Sequence, residues 1–370
     1  MEEPMKDVHL LEPGKAVERE INGGEVHSYQ IQLAAGQYVH VVVDQRGIDL
    51  ILILVEPDGK ESPEIDSPTG WWGIEEICLI APVAGQYVIH VRSLDKTVVP
   101  GRYEVKAEAL RMATPSDERR AEAAIAYAEG ERLRSEQTAE SRRRAIAKYE
   151  KAASLRQNAG DSHGEAIAFL AAGETYADLG EYHRAIDYDE RALGILRLIG
   201  GGELATALDF AGPPFMRTGQ AQKALKYYEE ALSIQRSIHD RTGEAATLTN
   251  LGLAYYTLGE NKKALDYLTR ALPLSRAAGD RRREADILHG MAMSWYVTGD
   301  YQKALDLLNA SLPLRRAIGQ RRGEGQTLNR IGVVYDALGD GEKALDYFGQ
   351  ALSLQRTLGD RYWEADTLTH

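Results

Sequence analysis

One cysteine, Cys78, stands in 370 residues, which excludes a disulfide framework and a cysteine cluster for structural zinc; its surroundings read as a strand. No apolar run approaches the roughly 18 to 20 residues that a membrane-spanning helix needs. The acidic opening, Met1 to Asp7, is no signal peptide, so the chain is expected to be cytoplasmic or to have lost an export signal. Positive charge is not in excess either: 44 Lys and Arg face 56 Asp and Glu, for a net charge of −12. Residues 1–112 hold 10 basic against 19 acidic side chains and the remainder 34 against 37, so neither part is basic enough to bind nucleic acid by overall charge. A phosphate loop, a dinucleotide fingerprint and a paired-histidine metal motif are all missing. The expectation is a chain without cofactor, metal or catalytic residue.

What is present is repetition. The stretch Asn250 to Leu272, NLGLAYYTLGENKKALDYLTRAL, recurs in altered copies on both sides. Small residues fall at Gly173, Gly212, Gly252, Ala292 and Gly332; turn glycines follow at Gly180, Gly219, Gly259, Gly299 and Gly339; alanines follow at Ala185, Ala224, Ala264, Ala304 and Ala344. A fixed period of about 40 residues signals an array built from one supersecondary unit. Each unit reads as two helices: Leu248, Leu251, Gly252 and Tyr255 make the apolar face of the first, and Ala264, Leu265, Leu268, Ala271 and Leu272 that of the second. Neither can bury its stripe without its neighbours. Five fuller repeats begin near Gly164, Glu203, Glu244, Glu284 and Glu324, after a degenerate one over residues 117–157.

The pattern Leu251, Gly252, Tyr255, Ala264, Leu268, Ala271 resembles the tetratricopeptide repeat. The unit exceeds that family's 34 residues by about six, worth roughly 9 Å of helix, so the second helix should run on through Ile234 to Arg236 or Leu314 to Arg316. This longer form resembles repeats of kinesin light chains and of bacterial regulatory proteins that carry a caspase-like CHAT peptidase. In one copy Gly212-Pro213-Pro214 removes two backbone donors and should kink or break the helix starting near Leu204.

Residues 1 to about 111 follow another grammar, with short alternating runs bounded by Gly, Pro and Asp. Strands are expected at Ala16 to Ile21, Val26 to Leu33, Tyr38 to Val43, Leu50 to Val55, Glu75 to Ala81, Tyr87 to Val91 and Arg102 to Ala107, the pattern of an antiparallel β-sandwich. AGQYV occurs twice, at Ala35 to Val39 and Ala84 to Val88. With GGEVHSYQIQL and QRGIDLILILVEPDG these runs resemble the bacterial pre-peptidase C-terminal domain, a small β-sandwich usually found in exported proteins. The expected fold is therefore multidomain: a β-sandwich over 1–111, a linker and degenerate helical repeat over 112–163, five repeats of an all-α superhelical solenoid over 164–360, and the start of a further repeat over 361–370. Thr114, Pro115 and Asp117 supply the cap, the first position and the capping acid of the first helix.

The leading functional expectation is a non-catalytic scaffold that binds a protein or peptide along its stacked first helices. Carrying over the repeat family's ligand-facing positions gives Leu170 and Glu174; Asp209, Phe210 and Met216; Thr249, Asn250, Leu253 and Tyr256; His289, Met293 and Tyr296; and Asn329, Arg330, Val333 and Asp336. Asn250 and Asn329 suit a peptide backbone, because an amide offers a donor and an acceptor together. The double resemblance implies an alternative: the sensing part of a CHAT-type cysteine protease whose catalytic domain would lie beyond residue 370. A second alternative rests on Trp71-Trp72, expected in a loop where the rings could stack on a sugar, anchor a partner or fold back over the sandwich end. Asp44, Asp49, Asp58, Glu64 and Asp66 lie near turns and match no defined calcium loop. Gly160-Asp161-Ser162-His163-Gly164 resembles an esterase nucleophile box, but the same turn reads Asp240-Arg241-Thr242-Gly243 in another copy, which removes the serine. Arg361 to His370 aligns with Arg241 to Asn250, so the sequence predicts a repeat that stops halfway, weakly held residues after about Asp360, and self-association through that end.

Overall fold

In the computed structural model, residues 8–62, 64–66, 72–93 and 100–370 are described. Met1 to Asp7 and Trp71 lie outside them, and Trp72 opens a strand rather than a loop. The strands are β1 (Val8–Leu10), β2 (Val17–Ile21), β3 (Val26–Leu33), β4 (Gln37–Arg46), β5 (Leu50–Val55), β6 (Trp72–Ile80), β7 (Gly85–Ser93) and β8 (Gly101–Met112). They form two sheets, ordered β1-β3-β7-β5 and β2-β8-β4-β6. All the pairs are antiparallel except β1 with β3, which adds a short parallel edge that the sequence did not signal.

Alternation builds the sandwich core: Tyr29, Ile31 and Leu33 of β3, Val39, Val41 and Val43 of β4, Tyr87, Ile89 and Val91 of β7, and Tyr103, Val105 and Ala107 of β8 all point inward. The buried phenols are hydrogen-bonded, Tyr29 to Tyr103 at 2.6 Å and Tyr103 to His27 Nδ1 at 2.7 Å. The twin AGQYV motifs diverge. Tyr87 enters the core and donates to the Val83 carbonyl, whereas Tyr38 lies on the opposite face of its sheet from Val39 and donates to Cys78 Sγ at 3.4 Å. Both tyrosines are fully buried, because that second face is covered by helices.

The helices are α1 (Pro115–Ser135), α2 (Ala139–Asn158), α3 (Ser162–Asp178), α4 (Tyr182–Ile199), α5 (Gly202–Arg217), α6 (Ala221–Ser237), α7 (Arg241–Thr257), α8 (Asn261–Ala277), α9 (Arg281–Val297), α10 (Tyr301–Ala317), α11 (Arg321–Ala337), α12 (Gly341–Leu358) and α13 (Arg361–Leu368). Thr114 and Asp117 close a capping box on α1, with Pro115 in its first turn. As the long period requires, α6 and α10 run past Arg236 and Arg316. Within a hairpin, the small residue of the first helix meets a large one of the second. A Cβ on Gly252 would stand 2.6 Å from Leu268, and one on Gly332 would stand 2.6 Å from Phe348, so these glycines set how closely the helices approach. Gly259, at φ +78°, ends its helix in the left-handed conformation.

Two expectations are corrected. Helix α5 continues unbroken through Pro213 and Pro214. Gly212 lies against the Tyr228 ring and Phe215 packs edge-on against Tyr227 at 5.3 Å, contacts that hold the helix although each proline costs about 3 kcal/mol. Nor are residues 361–368 weakly held. Asp360 caps α13 and accepts from Arg322 at 2.6 Å, and Thr367 is buried between Asn329 and Gln355.

The chain divides into two compact units, Met1–Gly243 and Glu244–His370. The sandwich shares its unit with the first helices because α1 and α5 pack on β6. Polar contacts join sheet and helices: Arg156 pairs with Glu76, and the Ile74 N–H donates at 2.9 Å to Glu203, which is itself held by His163 Nε2 of α3 at 2.8 Å. Burial works against charge on Glu76, but Arg156 and His40 hold its carboxyl well below the ordinary range.

Asp189 breaks the repeat pattern. It occupies the place that Leu268 and Phe348 fill elsewhere, against Gly173, and is 3 % exposed. Burial, with Glu174 and Glu190 adding to it, pushes its carboxyl up to about 8 from 3.8. The folded chain thus holds a proton that the unfolded chain releases. The stability this contributes is full below about pH 4 and falls as pH rises toward 8, by up to about 1.4 kcal/mol per pH unit. Denaturation of Asp189→Leu across this range should show higher stability at neutral pH and a flatter profile than the parent chain; an unchanged slope would assign it to another group.

Candidate functional site

The expected ligand-facing residues divide between the two units. In Met1–Gly243, Leu170 is buried in the packing of α3, and Glu174 is engaged by Arg134 at 2.7 Å. Asp209 is buried and accepts from Gln235 Nε2 at 3.0 Å. Of this group Phe210, 39 % exposed, presents apolar surface, and Met216 is half-buried.

In Glu244–His370 the expected positions converge. Leu253 and Tyr256 of α7, His289, Met293 and Tyr296 of α9, and Arg330 and Val333 of α11 line one concavity of about 320 Å³, completed by Gly290, Val297 and Trp363. The repeat explains this convergence, since consecutive first helices present equivalent positions to the same side. The wall is largely apolar and aromatic. Arg330 stacks on the Trp363 ring at 5.1 Å and faces Asp366 at 3.4 Å. Burial, reinforced by Arg315 and Arg330, pushes His289 down to about 3, so a neutral imidazole lines the pocket. Its Nδ1 is buried with no hydrogen-bond partner. Such a pocket accepts an apolar side chain and offers one neutral polar contact and one cation beside it.

The other expected positions differ. Thr249 is buried, its hydroxyl donating to the Ala245 carbonyl at 2.6 Å; Asn250 is half-buried and Asp336 exposed. Asn329 is fully buried, and its Nδ2 donates to Thr367 Oγ1 at 2.7 Å, which donates to Gln355 Oε1 at 3.0 Å. Helix α13 covers it, so this amide serves packing. Trp363 was missed because the sequence placed it in a weakly held end. Val297 is one turn beyond Met293 on the same face and was legible from helical spacing.

Apparent chemistry in the sequence dissolves into structural roles. Asp161 caps α3 by accepting from the Gly164 N–H at 3.0 Å, Ser162 is the first residue of that helix, and His163 is bound to Glu203. Among the turn acids, Asp44 pairs with Arg46, Asp58 accepts from the Lys60 N–H, and Glu64 pairs with Arg92. Burial pushes Asp49 up to about 6 and Asp66 up to about 7, the latter with Asp49 adding to it. Among the described residues these five form no ligand cluster.

This geometry defines a class, a β-sandwich joined to an array of helical hairpins. Residues 215–277, 283–357 and 168–201 match models of the tetratricopeptide repeat. Among solved structures the chain is similar to RapI in its apo form, at 16% identity and TM-score 0.54, covering 66% of this chain and 94% of that one. It is similar to the signal transduction ATPase with a tetratricopeptide repeat sensor from Pyrococcus horikoshii, at 18% identity and TM-score 0.54, over 70% of this chain and 38% of that one. A third is the Rap conjugation regulator of plasmid pLS20 in complex with the Phr* peptide, at 15% identity and TM-score 0.51, over 66% and 78%. At these identities the likeness is one of fold. Among curated proteins nothing matches this chain.

The burial of Asn329 generates a test. Asn329→Ala should cost about 1 to 3 kcal/mol of stability by leaving the Thr367–Gln355 pair without its donor, as read by chemical denaturation. An unchanged denaturation midpoint would show that the amide is dispensable to packing.

Proposed function

We propose that this chain is a non-catalytic interaction scaffold that holds an extended segment of a partner protein on the first helices of its second unit. One apolar side chain of that segment would enter the pocket between Leu253 and Trp363, and Asn250 would meet its backbone. The observation that supports this reading is that seven positions expected to face a ligand, from three consecutive repeats, line one largely apolar concavity. The Rap regulator of similar fold holds a peptide, and the same use of the repeats is proposed here. On the sequence resemblance the sandwich would be a pre-peptidase C-terminal-like module. A second reading is that the chain is the sensing part of a larger protein, such as a CHAT-type protease; the Pyrococcus horikoshii ATPase, in which such repeats are the sensor, favours that arrangement.

The test is selection of peptides from a random displayed library on the full chain, followed by binding to Val297→Trp and Met293→Trp. Val297 is 56 % exposed, so the larger ring fills the pocket from its rim without disturbing the core. Affinity should fall by about tenfold or more, or 1.4 kcal/mol, in both variants, with the melting temperature unchanged in Val297→Trp and lowered in Met293→Trp, whose side chain is buried in the core of the repeats. Selected peptides that bind both variants as tightly as the parent would remove the pocket from the proposal, and a library that yields no binder would remove the function.

A further inference from the structure

The helix-covered face of the sheet β2-β8-β4-β6 brings an imidazole, a carboxylate and a thiol together. His40 of β4 and Cys78 of β6 are cross-strand partners, and Glu76 lies two residues before Cys78, on the same face. His40 Nε2 stands 3.0 Å from Glu76 Oε2, and one ligand atom from each of the three side chains lies within 4.8 Å of the other two. Four-coordinate zinc holds N, O and S ligands at about 2.0 to 2.3 Å, which sets ligand atoms roughly 3.3 to 3.8 Å apart. Side-chain adjustments of about an ångström therefore bring all three onto one ion.

The surroundings have the form of a metal site's outer layer. The pairing of β4 with β8 shifts at His40: His40 faces Ala109 and Val41 faces Ala107, leaving Glu108 as the extra residue of a β-bulge. That bulge puts Glu108 Oε2 3.7 Å from His40 Nδ1, the nitrogen that does not bond Glu76. A carboxylate on the far nitrogen is the usual means of fixing the ring of a metal-bound histidine. Glu76 is oriented through its other oxygen by Arg156, and Cys78 Sγ accepts from Tyr38 Oη at 3.4 Å.

We propose that His40, Glu76 and Cys78 form a binding site for a divalent transition metal of the zinc type, with one coordination position left for water. The metal fastens β4 to β6 beneath the first helices. Binding requires a neutral imidazole and a thiolate, so both protons pass to the buffer.

The test uses Co²⁺ as a spectroscopic stand-in, supplied to the full chain both when folded and during refolding. Cys78 is the one thiol in the sequence. A thiolate-to-cobalt charge-transfer band at one equivalent therefore assigns the site even if a variant fails to fold, and Zn²⁺ should abolish that band. Cys78→Ser should remove it, and Glu108→Gln should weaken Zn²⁺ binding by about 10- to 100-fold while keeping the band. Absence of the band under both conditions, or Zn²⁺ binding that survives Cys78→Ser unchanged, would overturn the proposal and leave these side chains as an ion-pair network alone.

Discussion

Each helical hairpin depends on one steric constraint, that a first helix carry almost no side chain where a second helix carries a large one. Gly252 against Leu268, Ala292 opposite Leu308 and Gly332 against Phe348 repeat it, with the large residues buried. Close approach lets the flanking rings meet, Tyr255 with Tyr267 at 5.4 Å and Tyr335 with Tyr347 at 5.5 Å, both stacked. With the hairpin thickness fixed, successive first helices present equivalent positions to one side, and the pocket of the second unit follows from that repetition.

In the first unit the same rule is bent for another purpose. Asp189 replaces the large apolar residue and lies buried against Gly173, while α1 before it and α5 after it also cover a β-sheet. Covering a sheet face buries Glu76, Arg156 and His163, which burial alone would penalise. An opposite partner at hydrogen-bond distance favours the charged form of each. That joint explains why the compact unit includes both the sandwich and the first repeats, so that the change from strand to helix after Met112 is not where the chain divides.

The helix starts show how one residue type resolves two readings. Asp161, Asp280 and Asp360 each accept from a backbone N–H three residues on. An aspartate beside a serine and a histidine therefore serves as a helix cap. The same recurrence gives α13 its start, and its packing on α11 and α12 converts Asn329 from a candidate ligand contact into a buried support.

By itself the sequence determined the repeat, the hairpins, the sandwich and the start of the first helix after Thr114, because these follow from local periodicity, caps and turn glycines. It also placed Leu253, Tyr256, His289, Met293, Tyr296, Arg330 and Val333 on one side, since equivalent positions of a repeat share a face. Tertiary structure decided what one-dimensional patterns do not contain. It carried α5 through Pro213 and Pro214, since contacts from α6 outweigh local propensity. It turned the tyrosines of two identical motifs to opposite faces, since helices cover one sheet on its outer side. It brought His40, Glu76 and Cys78 together across two strands, since register between strands far apart in sequence is set by the packed sheet and by the bulge at Glu108.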